Sequence, residues 1–242
     1  KARSNSAGLV ITEYNYVSEN GGPSMTWADN RTQLAIYDDK FLPGLIKLAQ
    51  TMKEHGNKAL VQLAHTGREA NYRAHLGLPV YAPTTADYSF LPYEVKGFTT
   101  EQVEQVVKDF GAATKRAIEA GFDGIEIHGA NHYLIQQFFS RFSNKRTDKW
   151  GEADSFPLAV AEEVFKVVKK YAPQDFIVGY RISPEEINGD NIGYTWREST
   201  ELIGKLTKKF DFDYVHLSLP VYDARPSDSD KTFAELFKPY LG

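Results

Sequence analysis

Three features of the sequence predict an α/β protein built on a parallel β-sheet. Short strand-like runs alternate with amphipathic helical runs along the chain, the pattern of successive βαβ units. Residues Gly124 to Ile127 read as a short buried strand that passes directly into His128, Asn131 and Tyr133, and parallel sheets present reactive groups at such strand ends. The 242 residues, 42% hydrophobic and 25% charged, are enough for one sizeable core, so a single domain over residues 1–242 is expected.

The elements follow in order. Ala7 to Glu13 reads as the first strand, and Asp39 to His55 as a helix with Leu42, Leu45, Ile46, Ala49 and Met52 on one face and Gly56 as its stop. Lys58 to Ala64 is the second strand. The segment His65 to Gly97, with Pro79, Pro83 and Pro92, is too long for an idle connection and reads as a loop with a function. Thr99 and Gln102 form a capping-box pattern ahead of a helix carrying Val103, Val106, Val107, Phe110, Ala113, Ala117 and Ile118 and ending at Gly121. After the strand Gly124 to His128 come a helix over 155–171, a strand over 176–182, a helix over 196–209, a strand over 214–218 and a last helix over 232–240. That makes about five strands and five helices, with no internal repeat.

Composition excludes several classes. A formal net charge of −4 with acids and bases interspersed gives no basic field for nucleic acid. Without cysteines the chain has no disulfide framework, no thiolate nucleophile and no cysteine ligands, which fits a reducing cytoplasm. No run of 18 apolar residues exists to span a membrane, and the start, Lys-Ala-Arg-Ser-Asn-Ser, lacks the apolar stretch of a secretory signal. Asn30-Arg31-Thr32 matches a glycosylation acceptor but reads as coincidence without an export signal.

The strand ends carry Thr12 and Glu13, Gln62 and His65, His128 with Asn131 and Tyr133, Arg181 and Ser183, and Ser218. No lysine stands there for a Schiff base, no facing pair of carboxylates for glycoside cleavage, and no set of His and carboxylate ligands for zinc. Neither Gly-x-Gly-x-x-Gly after a strand nor a Walker loop is present. What remains is polarising donors, one cation and a phenol, a set suited to orienting an organic cofactor and its small-molecule substrate.

These residues resemble the old yellow enzyme family of FMN-dependent NAD(P)H oxidoreductases. Ala7-Gly8-Leu9-Val10-Ile11-Thr12-Glu13, Val61-Gln62-Leu63-Ala64-His65-Thr66-Gly67-Arg68, Val178 through Pro184, and above all Gly121 through Gly151 carry the likeness over nearly the whole chain. The resemblance implies a (β/α)8 TIM barrel with FMN at its C-terminal mouth and NAD(P)H as reductant. By motif, Gln62 and Arg181 would contact the flavin ring, with Thr12 and Tyr14 beside it. His128 and Asn131 would bind the oxygen of an activated alkene, an enone or nitroalkene, and Tyr133 would donate the proton. His65, Arg68, Arg146 and Asp148 match family motifs too, but a loop-bracing network accounts for them equally well. Glu13 and Glu126 read as structural.

The sequence departs from the family pattern in two ways. Tyr14 and His132 stand where the family often has a small residue. Only about five of eight barrel strands are legible, the first and the last two being absent, and no glycine-rich phosphate turn follows Ser218. A fragment lacking the phosphate clamp is therefore expected. Two other readings stay open: a non-catalytic remnant that needs a complementary segment, and a dienoyl-CoA reductase-like relative with an additional iron–sulfur cluster. The natural substrate, NADH against NADPH, and homo-oligomerisation are not legible.

Overall fold

The computed structural model describes residues 7–25 and 33–241, so the Asn30-Arg31-Thr32 acceptor lies outside the described residues. In chain order the elements are β1 (Leu9–Tyr16), α1 (Leu42–Met52), β2 (Lys58–Ala64), α2 (Asn71–His75), β3 (Val80–Ala82), β4 (Val95–Gly97), α3 (Thr100–Glu119), β5 (Gly124–Gly129), α4 (Leu134–Phe139), α5 (Ser155–Tyr171), β6 (Ile177–Ile182), β7 (Glu186–Asn188), β8 (Asn191–Tyr194), α6 (Trp196–Lys209), β9 (Tyr214–Leu217) and α7 (Phe233–Phe237). Five strands form one sheet in the order β1-β2-β5-β6-β9, every pair parallel.

The strand period of two separates the sheet into two chemically different faces. Val61, Leu63, Ile125, Ile127, Val178, Tyr180 and Ile182 join one hydrophobic core with Val103, Val106, Phe110, Ala113 and Ala117 of α3 and with residues of α5 and α6. The alternate residues carry the polar groups. Gln62, Glu126, Gly179 and Tyr214 are paired across β2, β5, β6 and β9, and two residues further along each of the last three strands His128, Arg181 and His216 are paired in the same way. Gly179 is required at this level, because a Cβ there would lie 2.1 Å from the Tyr214 ring, which crosses over β6.

Helix starts are fixed locally. The predicted capping box at α3 is present, with Gln102 N–H donating to Thr99 Oγ1 at 3.2 Å and Thr99 N–H to Gln102 Oε1 at 2.9 Å, worth about 1 kcal/mol. Thr195 with Glu198 and Thr232 with Glu235 cap α6 and α7 likewise.

Several boundaries differ from expectation. The first strand runs to Tyr16, past the predicted end at Glu13, because a register shift between Ile11 and Tyr14 absorbs an irregularity without ending the pairing with β2. The 65–97 segment is not an open loop: α2 and the parallel pair β3 and β4 enclose a small core of Ala70, Val80, Ala82, Tyr88 and Val95. The β7–β8 hairpin and α4, which no periodicity announced, are only a few residues long. Among the described residues no helix is long and apolar enough to cross a membrane.

Candidate active site

The C-terminal ends of β2, β5, β6 and β9 gather most of the residues picked from sequence. His128 is 3% exposed and Gln62 6%, and the half-buried Tyr133 meets the His128 ring edge-on at 5.1 Å between centroids. Burial, together with the charge of neighbouring Arg181, pushes the His128 pKa down to about 3, so its imidazole is neutral at ordinary pH. Among the described residues its Nδ1 is buried without a hydrogen-bond partner, as is Nε of Arg181 on the adjacent strand. Two orphaned polar atoms in register are costly unless a ligand meets them.

Asn131 comes into place through a tight turn. Asn131 and His132 have φ of 58° and 60°, and Tyr133 N–H donates to Ala130 O at 3.1 Å, the arrangement of a type I′ turn. Asparagine is favoured at the first central position; histidine at the second takes a place where glycine is preferred. The Asn131 Oδ1 accepts from Ser218 Oγ at 3.3 Å, and Ser218 Oγ in turn accepts from Arg181 Nη2 at 3.2 Å. With its oxygen engaged, the Asn131 amide has its N–H donors to offer.

On the β1 side, Tyr133 OH donates to Ser24 Oγ at 3.2 Å, and Tyr14, 7% exposed, packs edge-on against the Tyr133 ring at 5.1 Å while donating to Ser24 Oγ at 2.9 Å. Burial raises the pKa of both phenols, so both stay protonated at neutral pH. Thr12 sits behind this group: its Oγ1 accepts from Gln62 backbone N–H at 3.2 Å and from Asn15 Nδ2 at 3.0 Å, supporting β2. The structure therefore joins His128, Tyr133 and Tyr14 on one side and Arg181, Ser218 and Asn131 on the other, with Gln62 one level below.

From sequence Glu126 reads as structural, and Tyr214, His216 and Ser24 are not singled out. Glu126 is fully buried and accepts from Gln62, Tyr214 and His216. The signal was available, since Glu126 and His128 are two apart on one strand and share a face. Ser24 lies in a stretch with no periodicity to place it.

The other motif residues brace loops. His65 has both ring nitrogens engaged, Nε2 with Asn20 Oδ1 at 3.1 Å and Nδ1 with Gly67 N–H at 3.0 Å. Buried Arg68 bonds Ser143 and Glu69 and lies 5.0 Å from the Tyr88 ring centre. Arg146 pairs with Asp148 at 2.6 Å and donates to Pro83 O at 2.9 Å and to Phe98 O. Between Arg68 and the β7–β8 hairpin lies a cavity of about 640 Å³ lined by Arg68, Tyr88, Phe90, His132 and Glu186.

Comparison with known proteins decides the family. The model of the NADH:flavin oxidoreductase / NADH oxidase family matches residues 1–237. The chain belongs to this family. FMN with NAD(P)H as reductant is the family's cofactor pair. A probable NADH-dependent flavin oxidoreductase of Bacillus subtilis (strain 168), YqiG, is 41% identical over 247 residues, covering 99% of the chain and 64% of that protein. The NADH:acrylate oxidoreductase of Vibrio harveyi is 44% identical over 226 residues, covering 90% of the chain and 21% of that protein. The chain thus spans less than two thirds of either relative. The crystal structure of old yellow enzyme from Pichia sp. AKU4542 superposes with a TM-score of 0.74 at 26% identity, covering 99% of the chain and 69% of its counterpart. The five-stranded sheet of this family member is accordingly part of a TIM barrel, and the polar face described above is the barrel's inner face.

Proposed function

We propose that the chain is the partial barrel domain of an FMN-dependent ene-reductase, which passes hydride from NAD(P)H to activated alkenes such as enones and nitroalkenes. The observation that carries this reading is that, among the described residues, two residues paired across β5 and β6 each bury a nitrogen without a hydrogen-bond partner, His128 Nδ1 and Arg181 Nε. The donor set fits the flavin: Arg181, a permanent cation, and Gln62, an amide with donor and acceptor, would hold the ring, with Tyr14 beside it and Thr12 supporting Gln62 from behind. Bound FMN supplies reversible hydride transfer, which no side chain here can perform.

The chain's own residues do the rest. His128 and Asn131 bind the carbonyl or nitro oxygen of the acceptor and draw electron density toward it; comparable oxyanion donors contribute roughly 3 to 4 kcal/mol each in the transition state. Tyr133 gives its hydroxyl proton to the carbon next to the activating group, completing the addition of a hydride and a proton across the double bond. Ser24 and Tyr14 hold the phenol in place. Neutral His128 leaves room for negative charge to develop on the acceptor oxygen without a prior ion pair. The cavity lined by His132 and Glu186 would take the remainder of the acceptor. A cytoplasmic location fits the lack of cysteines.

A second reading is favoured by the sheet edges. Apolar hollows lie along β1 and α1 (Tyr16, Phe41, Leu45, Leu48) and along β9 and α7 (Val215, Leu217, Val221, Phe237), as they would in a protein completed by a further segment. Flavin titration separates the two. Quenching of FMN fluorescence with micromolar affinity, followed by bleaching on addition of NADPH, supports the autonomous reductase. Chain that stays colourless under saturating FMN defeats it and leaves the completed-protein reading.

A further inference from the structure

Glu126 has no part in the roles above, yet it is fully enclosed and is met by three donors from two other strands: Gln62 Nε2 at 2.6 Å, Tyr214 OH at 2.9 Å and His216 Nδ1 at 3.0 Å. Burial alone would raise its pKa, but the bonds from His216, Gln62 and Tyr214 outweigh that and hold it below the ordinary carboxylate value. An ionised carboxylate only accepts hydrogen bonds. It can therefore face only the N–H end of the Gln62 amide, since the reversed amide would set two acceptor oxygens against each other in a buried place.

A carboxamide is otherwise nearly symmetric in shape, and its sense is set by its neighbours alone. Here the neighbour is fixed twice over. Glu126 and Gln62 are directly paired residues of β5 and β2, and the Tyr214 ring reaches Glu126 only because Gly179 leaves space for it. Among the described residues no group donates to Gln62 Oε1, which leaves that oxygen and the second N–H for a ligand.

We infer that Glu126 is a positioning residue that locks the sense of the Gln62 amide, so that one oriented acceptor and donor pair faces the pyrimidine edge of the flavin. This rests on the FMN reading. That edge offers an N–H flanked by two carbonyl oxygens, so an amide presented the right way satisfies it and a reversed one opposes like to like. Glu126→Gln keeps the shape but puts a second amide opposite the first, and two amides can pair in either sense.

Two measurements test this, one of them without flavin. In 15N-labelled chain, with Gln62→Leu to assign the resonance, the Gln62 side-chain NH2 should show one proton shifted downfield and slow to exchange. In Glu126→Gln that signature should be lost. An ordinary, fast-exchanging Gln62 amide in the unaltered chain overturns the inference whatever the chain does with FMN. By fluorescence quenching, Glu126→Gln should weaken FMN binding about tenfold, the worth of roughly one buried hydrogen bond; unchanged affinity overturns it. If the unaltered chain binds no FMN, the cofactor reading fails, while the amide resonance still decides the role of Glu126. Should Glu126→Gln not fold, Tyr214→Phe keeps the carboxylate and should keep the downfield proton; its loss there would make Glu126 merely part of the packing.

Discussion

His65 and His128 are both buried histidines in motif segments, and burial pushes the pKa of each down to about 3. His65 has a partner for each ring nitrogen, whereas among the described residues His128 Nδ1 has none. Arg146 and Arg181 repeat the contrast: the first is bound by a carboxylate and two backbone carbonyls, while among the described residues the second bonds Ser218 and has its Nε unpartnered. A buried polar group whose bonds are all made within the chain is holding the chain together. One left partly unmade, at a strand end, is what the ligand roles proposed for His128 and Arg181 require.

Substitutions on the two sides should therefore fail differently. On the ligand-facing side, Tyr133→Phe in flavin-loaded protein should slow alkene reduction a hundredfold or more while flavin reduction by NADPH stays near its normal rate, as stopped-flow absorbance of the two half-reactions would show. Equal loss in both would remove the proton-donor role. On the bracing side, Arg146→Ala strips Asp148 of its ion pair and frees two carbonyls, so urea denaturation should show a loss of roughly 2 to 4 kcal/mol. Arg181→Met should cost less than about 1 kcal/mol by the same measurement; a loss at Arg181 as large as at Arg146 would erase the distinction.

Acid should reveal both histidines at once. Each has a folded pKa near 3 against an ordinary 6.5, so the unfolded chain takes up its proton first. The stability tied to neutral imidazole is complete above about pH 6.5 and falls as pH drops toward 3. Between pH 7 and 5 that is about 2 kcal/mol for each histidine. His128→Gln should remove one such share from the pH dependence of the urea midpoint, and a slope that does not change would mean His128 is not buried as described.

The sequence made the scaffold easy to read where burial enforces periodicity. The predicted bounds of β2, α5 and α6 match the structure, α5 and α6 because each is a long helix with one buried face and β2 because it is a short run buried almost throughout, and the Thr99 and Gln102 pattern marks the start of α3. The short elements were opaque. Three residues of β3 or β7 carry no period to detect, and their pairing depends on partners as far away as Val95 or Tyr194. For the site, motif positions pointed to His128, Asn131, Tyr133 and Arg181, but Glu126 looked structural because three donors on two other strands are not adjacent in sequence. Ser24, shared by Tyr14 and Tyr133, was invisible for the same reason.

The paired left-handed residues at 131 and 132 set how far this corner can be altered. Asn131 tolerates such backbone through its short polar side chain, but an imidazole at 132 sits where every L side chain is strained, by roughly 1 kcal/mol. His132→Gly should raise the thermal midpoint by a few degrees, while the backbone bonds from His132 N–H to Gln136 and from Gln137 to His132 O can persist without the ring. The histidine also lines the cavity that it shares with Arg68, Tyr88 and Glu186. Under the proposed function, variation at this residue would reshape the cavity wall while leaving His128, Asn131 and Tyr133 unchanged.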